Sequence, residues 1–521
     1  MIEAAKESSR VWDIVVVGGG ATGLGIAVDA SLRGYSVLLF EQHDFAKATS
    51  SRSTKMAHGG VRYLQQGNIP LVTEALKERG LMLRNAPHLA HRMAFVVPGY
   101  EWWEVPFYGI GLKLYDILAG ELGLGSSRVL SRDATRELIP TVETGRLRGG
   151  ILFYDGQFDD ARLAVNLMQT AVEQGGVLIN YARVTSLSKA NGKVNGVRAV
   201  DLESGSELDV RGRVVINATG PFSDAIRQMD DPAARRMMQP SQGVHLVLPR
   251  EFLPGGAALM VPRTTDGRVL FAVPWHDRII VGTTDTAIEQ PSIEPRPLEG
   301  EVELILDNLG RYLARRPERE DILSVYAGIR PLVASRGAKN TAKVSRDEAI
   351  VVSDSGLVTI AGGKWTTYRK MGEKTVDCAA SVGRLPERSS VTADTHIHGY
   401  HEHSRDFGDL WFYGSDAPAI LALVRESSAN AELIHAELTV KAAQVVFAVR
   451  SEMARTVEDF LARRTRILLL DAHRSIDAVP KVAEIMAKEL GRDRLWQEDQ
   501  VRRYTELASG YLALEKSPTL R

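Results

Sequence analysis

The stretch from Asp13 to Glu41 constrains the fold more than any other. Asp13-Ile14-Val15-Val16-Val17 is an apolar, β-branched run that passes directly into Gly18-Gly19-Gly20-Ala21-Thr22-Gly23. A helical pattern follows (Leu24, Ile26, Ala27, Val28, Ala30, Leu32). Gly34 ends it, and a second strand, Val37-Leu38-Leu39-Phe40, closes on Glu41. Strand, glycine turn, helix and strand in this order form a dinucleotide-binding unit with the fingerprint Gly18-x-Gly20-x-x-Gly23. Gly18 permits the tight turn, Gly20 lets backbone approach a pyrophosphate, and Gly23 lets helix and strand pack closely. The free N–H groups at the helix N-terminus suit phosphate. Glu41 can accept hydrogen bonds from a ribose diol.

The fingerprint occurs complete only once. Gly109-Ile110-Gly111 and Gly123-Leu124-Gly125 lack a third glycine and a preceding strand. A flavoenzyme reduced by a nicotinamide cofactor usually needs two such sites, so one N-terminal site favours a flavin reduced directly by its substrate. With 521 residues the chain is too long for one core and implies two or three domains. A formal net charge of −1 offers no electrostatic footprint for nucleic acid. The single cysteine, Cys378, excludes internal disulfides and makes a cysteine metal centre a poor expectation. Residues 1–10 are polar, without the apolar run of a secretory signal. No stretch approaches the ~20 apolar residues of a membrane span, so membrane contact would be peripheral.

After Glu41, hydroxyls, small residues, a histidine and cations crowd together from Thr49 to Leu64, material suited to wrapping a polar ligand. A helix is expected over about Leu71 to Asn85. Residues 94–125 are strongly apolar and aromatic, with Trp102, Trp103, Phe107, Ile110 and Ile117 among them. They fit either a core helix with its approach loop or an interfacial segment serving lipid or a lipid-soluble electron acceptor. Strands are expected at Ile151–Tyr154, Arg213–Pro221, His245–Leu248, Val269–Val273, Ile279–Val281, Asp321–Tyr326 and Leu357–Ile360, with a helix starting at Asp159-Asp160. A second strand–glycine–helix junction stands at Ala361-Gly362-Gly363-Lys364-Trp365-Thr366-Thr367. The histidines of the 381–407 linker (His396, His398, His401, His403) match no closed metal site and read as solvated. Beyond Asp416 the pattern is helical: Ala417–Val424, Glu437–Val449, Thr456–Leu470, Val479–Glu489 and Gln500–Leu514.

Several motifs occur in order along the chain. They are Val17–Gly23, Thr49-Ser50-Ser51-Arg52-Ser53-Thr54-Lys55, His58-Gly59-Gly60-Val61-Arg62-Tyr63-Leu64, Asp159-Asp160-Ala161-Arg162-Leu163, Asn217-Ala218-Thr219-Gly220-Pro221, Gly282-Thr283-Thr284-Asp285, Gly328-Ile329-Arg330-Pro331-Leu332, Ser345-Arg346-Asp347, Gly362–Arg369 and Arg463-Arg464-Thr465-Arg466. Through them, from about residue 12 to about 475, the sequence resembles the FAD-dependent, quinone-linked glycerol-3-phosphate dehydrogenases. The resemblance implies an α/β fold: a Rossmann-like FAD-binding domain of the D-amino-acid-oxidase-like type, an inserted mainly antiparallel β substrate domain, and a C-terminal all-α cap. The expected division is 1–93, 151–222 and 346–392 for FAD binding, 94–150 and 223–345 for substrate, and 393–521 for the cap. FAD is the expected cofactor, and no metal is expected.

By the same resemblance the chain oxidises sn-glycerol 3-phosphate to dihydroxyacetone phosphate and passes electrons to membrane quinone. It would sit peripherally on the cytoplasmic face of the cell membrane, with the cap offering a surface for a homodimer. An oxidase reducing O2 to H2O2 and a non-catalytic FAD-binding protein are the competing readings. Substrate contacts fall on Arg62, Tyr63, His245, Arg330, Arg346 and Lys364, of which His245, Lys364 and Arg330 are the catalytic set. Guanidinium forks suit a phosphate dianion, and His245 is the candidate base. His58 is the other available histidine, but its glycine neighbours place it against the flavin. FAD contacts extend over Gly18, Gly20, Ala21, Thr22, Gly23, Glu41, Thr49, Ser50, Thr54, Met56, His58, Gly59, Gly60, Val184, Gly220, Gly363, Lys364 and Thr366. The run Arg463, Arg464 and Arg466 fits either lipid headgroups or a solvated or salt-bridged helix face.

Overall fold

A computed structural model describes residues 1–7, 9–60, 68–334 and 348–513. Arg62, Tyr63 and Arg346, with the Ser345-Arg346-Asp347 motif, lie outside the described residues. Two sheets organise the remainder. In the first, the strands run in the order Ala349–Val352, Val358–Ala361, Glu207–Asn217, Val11–Val17, Val37–Phe40, Val177–Ile179. All neighbours are parallel except the first pair. Ile14, Val15 and Val16 are fully buried, because helices cover one face of the sheet and the hairpin Ala182–Ala190/Lys193–Asp201 lies on the other side. Burial on both faces is why these strands are continuously apolar instead of alternating. Each such side chain contributes roughly 1.5–3 kcal/mol.

The second sheet is almost wholly antiparallel: Thr286–Ala287, Ser241–Pro249, Arg278–Gly282, Leu270–Trp275, Ala258–Val261, Ala90–Gly99, Gly149–Phe158, Met56–Ala57. Ser324–Arg330 flanks Ser241–Pro249, with His245 opposite Tyr326. The expected start of that strand at Asp321 moves to Ser324, since Arg319–Asp321 forms a 3-10 turn. The architecture is the expected one: an α/β nucleotide-binding layer, an inserted β layer, and a helical C-terminal region.

The Glu104–Ala119 helix bears on one of the two readings of the apolar 94–125 segment. Only Leu112 and Tyr115 are buried on it. Trp102 (76%), Phe107 (56%), Ile110 (75%) and Ile117 (70%) are exposed, with Trp103 and Leu114 between them. The exposed positions 103, 107, 110, 114 and 117 recur at helical spacing, so they form one outward stripe. The segment is not a core helix.

Two helices of the C-terminal region differ from expectation. The predicted Glu437–Val449 helix spans Ala442–Ser451, because Lys441 bridges back to Leu433. The predicted Thr456–Leu470 helix breaks at Arg466, whose backbone is left-handed (φ 61°). Lipid contact by the arginines there is overturned too. Arg463, Arg464 and Arg466 are 2%, 0% and 0% exposed. Arg463 and Arg464 grip Asp44 beside the first sheet, Arg464 Nη2 lying 2.9 Å from Oδ1. Arg466 Nε lies 2.9 Å from Asp159 Oδ2. They join the helical region to the nucleotide-binding layer.

Candidate active site

One cavity of about 700 Å³ runs from the first sheet's glycine turn to the second sheet. Its first end is made by the fingerprint. Gly18 has φ +109°, and a Cβ on Gly23 would collide with the Gly18 carbonyl, so glycine is required at both. The Ala21–Leu32 helix begins at Gly20 with no side chain capping it. Its first-turn N–H groups therefore remain a cradle for an anion, apart from Ala21 N–H, which donates to Ser50 Oγ at 2.9 Å. Glu41 stands just past the end of its strand. Its Oε2 accepts from Gly19 N–H at 2.7 Å and its Oε1 from His43 N–H at 2.9 Å. Burial pushes the Glu41 carboxyl up despite those bonds.

The Thr49–Gly60 strap crosses from this end to the other. Thr49 Oγ1 donates to the Ile329 carbonyl at 2.6 Å, Trp365 Nε1 donates to the Ser50 carbonyl at 2.8 Å, and His58 N–H donates to Thr366 Oγ1 at 3.2 Å. Three segments far apart in sequence are thus drawn around one volume. A long cleft with an uncapped helix N-terminus at one end and strand-borne walls at the other fits a dinucleotide carrying a flat ring system.

At the far end, His245, Arg330 and Lys364 line the same cavity. Arg330, last residue of its strand, donates through Nη2 to the Thr284 carbonyl at 2.8 Å and lies 3.4 Å from Asp285 Oδ1. One edge of its guanidinium is therefore anchored while the group is partly exposed. Lys364 precedes the Trp365–Thr367 turn that leads into the Tyr368–Val382 helix. His245 is 3% exposed, and its Nε2 lies 2.8 Å from Thr54 Oγ1. Burial, with the charges of Arg330 and Lys55, holds its pKa well below 6.5, so the ring is neutral at neutral pH.

Of the expected cofactor contacts, Gly18, Gly20, Ala21, Thr22, Glu41, Thr49, Ser50, Thr54, Met56, His58, Gly60, Val184, Gly220, Gly363, Lys364 and Thr366 line the cavity. Gly23 and Gly59 stand behind its surface. Sequence reasoning missed Phe153, Met260 and Phe271, which give the second sheet's share of the wall its apolar character. They sit in ordinary strands and carry no local signal. It also missed Asp155, whose place in the Gly149–Phe158 strand brings it to the same wall.

Known proteins resemble this chain along most of its length. A family model described as FAD dependent oxidoreductase matches residues 13–369, and one described as the C-terminal domain of alpha-glycerophosphate oxidase matches residues 410–500. The mitochondrial glycerol-3-phosphate dehydrogenase of Schizosaccharomyces pombe is 38% identical over 94% of this chain and 85% of its own length. The human mitochondrial enzyme of that name is 38% identical over 99% of this chain and 76% of its own. Among solved structures, a glycerol-3-phosphate dehydrogenase from Bacillus halodurans complexed with FAD superposes with a TM-score of 0.81 at 29% identity, covering 100% of this chain and 98% of that one. A glycerophosphate oxidase from Mycoplasma pneumoniae, at 17% identity and TM-score 0.58, shares the fold. FAD is thus the cofactor, and the chain belongs to the FAD-dependent oxidoreductases, within the glycerol-3-phosphate dehydrogenase family.

Proposed function

We propose that this protein oxidises sn-glycerol 3-phosphate to dihydroxyacetone phosphate and hands the electrons to a membrane quinone, as a step of glycerol catabolism. The observation that carries the reading is the convergence of a neutral buried histidine, an anchored guanidinium and a lysine on the strand-borne end of one FAD cavity. Arg330 and Lys364 offer the positive charge a three-carbon phosphate ester needs. Each charge-assisted hydrogen bond contributes roughly 1.5–3 kcal/mol. Arg62, Tyr63 and Arg346 complete the substrate contacts on sequence grounds alone. FAD bound along the cavity supplies the hydride acceptor. His245 takes the hydroxyl proton, which requires it to be neutral before the reaction. Glu41 holds the adenosine ribose, and the chain divides into the six segments given above.

The outward stripe of the Glu104–Ala119 helix supports the choice of acceptor and location. Tryptophans and aliphatic side chains on an exposed face suit the headgroup–acyl boundary of a bilayer. Among the described residues no helix is long and apolar enough to cross a membrane; the attachment in this reading is peripheral, at the cytoplasmic face. The cluster formed by Met56, Phe95, Phe153 and Met260 lies between the cavity and this helix and reaches Leu112. That apolar layer suits the approach of a lipid-soluble acceptor from the side of this helix. The test is anaerobic reduction of the bound flavin by glycerol 3-phosphate, followed by turnover with a short-chain quinone and with oxygen. No flavin bleaching removes the substrate assignment. Faster turnover with oxygen than with quinone removes the acceptor.

A further inference from the structure

The imidazole of His245 sits in a slot built by residues outside the family motifs as well as within them. On one face it stacks on Tyr326, its register partner on the neighbouring strand, with ring centroids 4.8 Å apart and planes 12° apart. On the other side its register partner is Gly282, where any Cβ would collide with the imidazole ring. In the ring plane, Nε2 meets Thr54 Oγ1 at 2.8 Å. His245 Nδ1 is buried and has no hydrogen-bond partner among the described residues.

Tyr326 also controls where Thr54 stands. Its hydroxyl donates to the Ser53 carbonyl at 2.9 Å. Ser53 is held again from beneath, its Oγ donating to Asp160 Oδ2 at 2.7 Å, and Lys55 Nζ lies 2.6 Å from Asp160 Oδ1 with both side chains fully buried. Tyr326 itself is 1% exposed and does not line the cavity.

We propose that Tyr326 and Thr54 are positioning residues for His245: Tyr326 fixes the plane of the imidazole and the backbone that presents Thr54, and Thr54 fixes the ring's rotation. With Nε2–H donating to Thr54 Oγ1, the basic lone pair is left on Nδ1, the nitrogen without a partner among the described residues; Nδ1 takes the hydroxyl proton while Nε2 stays bonded to Thr54 before and after. Stacking alone would allow the ring to slide in its plane, and the Nε2 bond alone would allow it to tilt. Together they leave one orientation, which general-base chemistry demands of a group that must meet a hydroxyl within hydrogen-bond reach. The inference rests on His245 being the base proposed above.

The experiment compares Thr54→Val, Thr54→Ser, Tyr326→Phe, Tyr326→Leu and His245→Asn holoenzymes. Flavin content is checked by absorbance, and kcat, KM and the pH profile of kcat/KM are measured with glycerol 3-phosphate. Thr54→Val is expected to lower kcat about 10- to 100-fold with little change in KM and to displace the acidic limb, with Thr54→Ser restoring most of both. Tyr326→Phe keeps the stack but loses the tether to Ser53, and lowers kcat by a few-fold. Tyr326→Leu loses both and falls further; if it does not fold, Tyr326→Phe and Thr54→Val carry the test. Wild-type kcat and an undisplaced limb in Thr54→Val and Tyr326→Phe overturn the proposal, as does a defect confined to KM or to flavin content. His245→Asn separates the two levels. If it keeps the acidic limb, the base assignment is wrong. If it loses the limb while the Thr54 and Tyr326 variants match wild type, only the positioning inference fails.

Discussion

The backbone N–H of Gly59 donates to the Tyr115 hydroxyl at 2.7 Å, joining the strap beside the cavity to the helix that carries the exposed apolar stripe. Tyr115 in turn donates to Asp155 Oδ2 at 2.9 Å, and Asp155 Oδ1 pairs with Arg79 Nη1 at 2.8 Å. Tyr115, Asp155 and Arg79 are all buried, and Asp155 lines the cavity. Tyr115→Phe keeps the ring and strands both partners of its hydroxyl. The expected cost is about 1–3 kcal/mol of stability per stranded group, with faster loss of FAD because Gly59 is released. Denaturant melts and the rise of free-flavin fluorescence on dilution measure the two effects. Wild-type behaviour in both shows that Gly59 needs no such tether.

The stripe itself predicts vesicle binding. Ile110 and Ile117 are among its most exposed members, and neither touches the cavity. Burying one such side chain in a bilayer interface contributes roughly 1.5–3 kcal/mol. Ile110→Glu with Ile117→Glu should therefore weaken partitioning onto liposomes by about 100-fold or more. Turnover with a water-soluble acceptor should stay at the wild-type level. Undiminished co-sedimentation of the double variant would place the membrane contact elsewhere.

These two relationships show where sequence reading ends. The Val11–Val17 strand, its glycines and the Ala21–Leu32 helix were readable because their signals are local: β-branched apolar residues, then glycine, then helical periodicity. The apolar character of residues 94–125 was equally plain. Which way that helix faces was not, since a stripe toward solvent and a stripe toward a core have the same period. Arg463, Arg464 and Arg466 show the other limit. Their partners Asp44 and Asp159 lie more than 300 positions earlier in the chain, so a run of cations gave no hint of burial. The Asp159-Asp160-Ala161-Arg162 motif belongs to the same case. Asp159 meets Arg466, Asp160 meets Lys55, and Arg162 meets Glu452 at 2.6 Å. These motif residues hold layers together, which their spacing in the chain does not reveal. The Tyr326–His245–Thr54 slot was invisible for a related reason, being created by strand register.

His398 predicts a pH dependence of stability. Its Nδ1 lies 2.6 Å from Glu173 Oε1 and its Nε2 2.9 Å from Asp416 Oδ2, joining the Asp160–Glu173 helix to the start of the C-terminal helices. Burial pushes its pKa down, but Asp416 and Glu173 outweigh burial and raise it above 6.5. His88, the other titratable group near it, is pushed down to about 4 and stays neutral. A histidine whose folded pKa is raised stabilises fully below its unfolded value and loses that contribution as pH rises through the folded one. As pH rises above about 6.5 and through the raised folded pKa, the melting temperature should therefore fall by more in the wild type than in His398→Gln. Equal slopes would show that the two carboxylates do not favour the charged ring.

Asp44 gives the sharpest stability prediction. Its carboxylate is fully buried and receives both Arg463 and Arg464, while Arg463 Nη2 also bonds Asp459 Oδ1 at 2.8 Å and Nη1 bonds Glu458 Oε1 at 2.8 Å. Burial alone would raise the Asp44 carboxyl, but the two guanidiniums outweigh it and hold it below the usual carboxylate range. Asp44→Asn leaves two buried cations short of a charge, and removing one partner of such a cluster costs about 3–5 kcal/mol. The loss should appear at neutral pH as a lower denaturant midpoint. For the wild type the sign runs the other way from His398: a depressed carboxyl pKa stabilises above its unfolded value and loses that contribution as pH falls through the folded one. Wild type and Asp44→Asn should thus differ most at neutral pH and converge in acid. Because the ion pairs join the helical region to the nucleotide-binding layer, the variant should also expose protease sites between residues 393 and 460 before the first sheet unfolds. A midpoint equal to wild type, or a gap that does not close in acid, would show that the arginines are neutralised by Glu458 and Asp459 without Asp44.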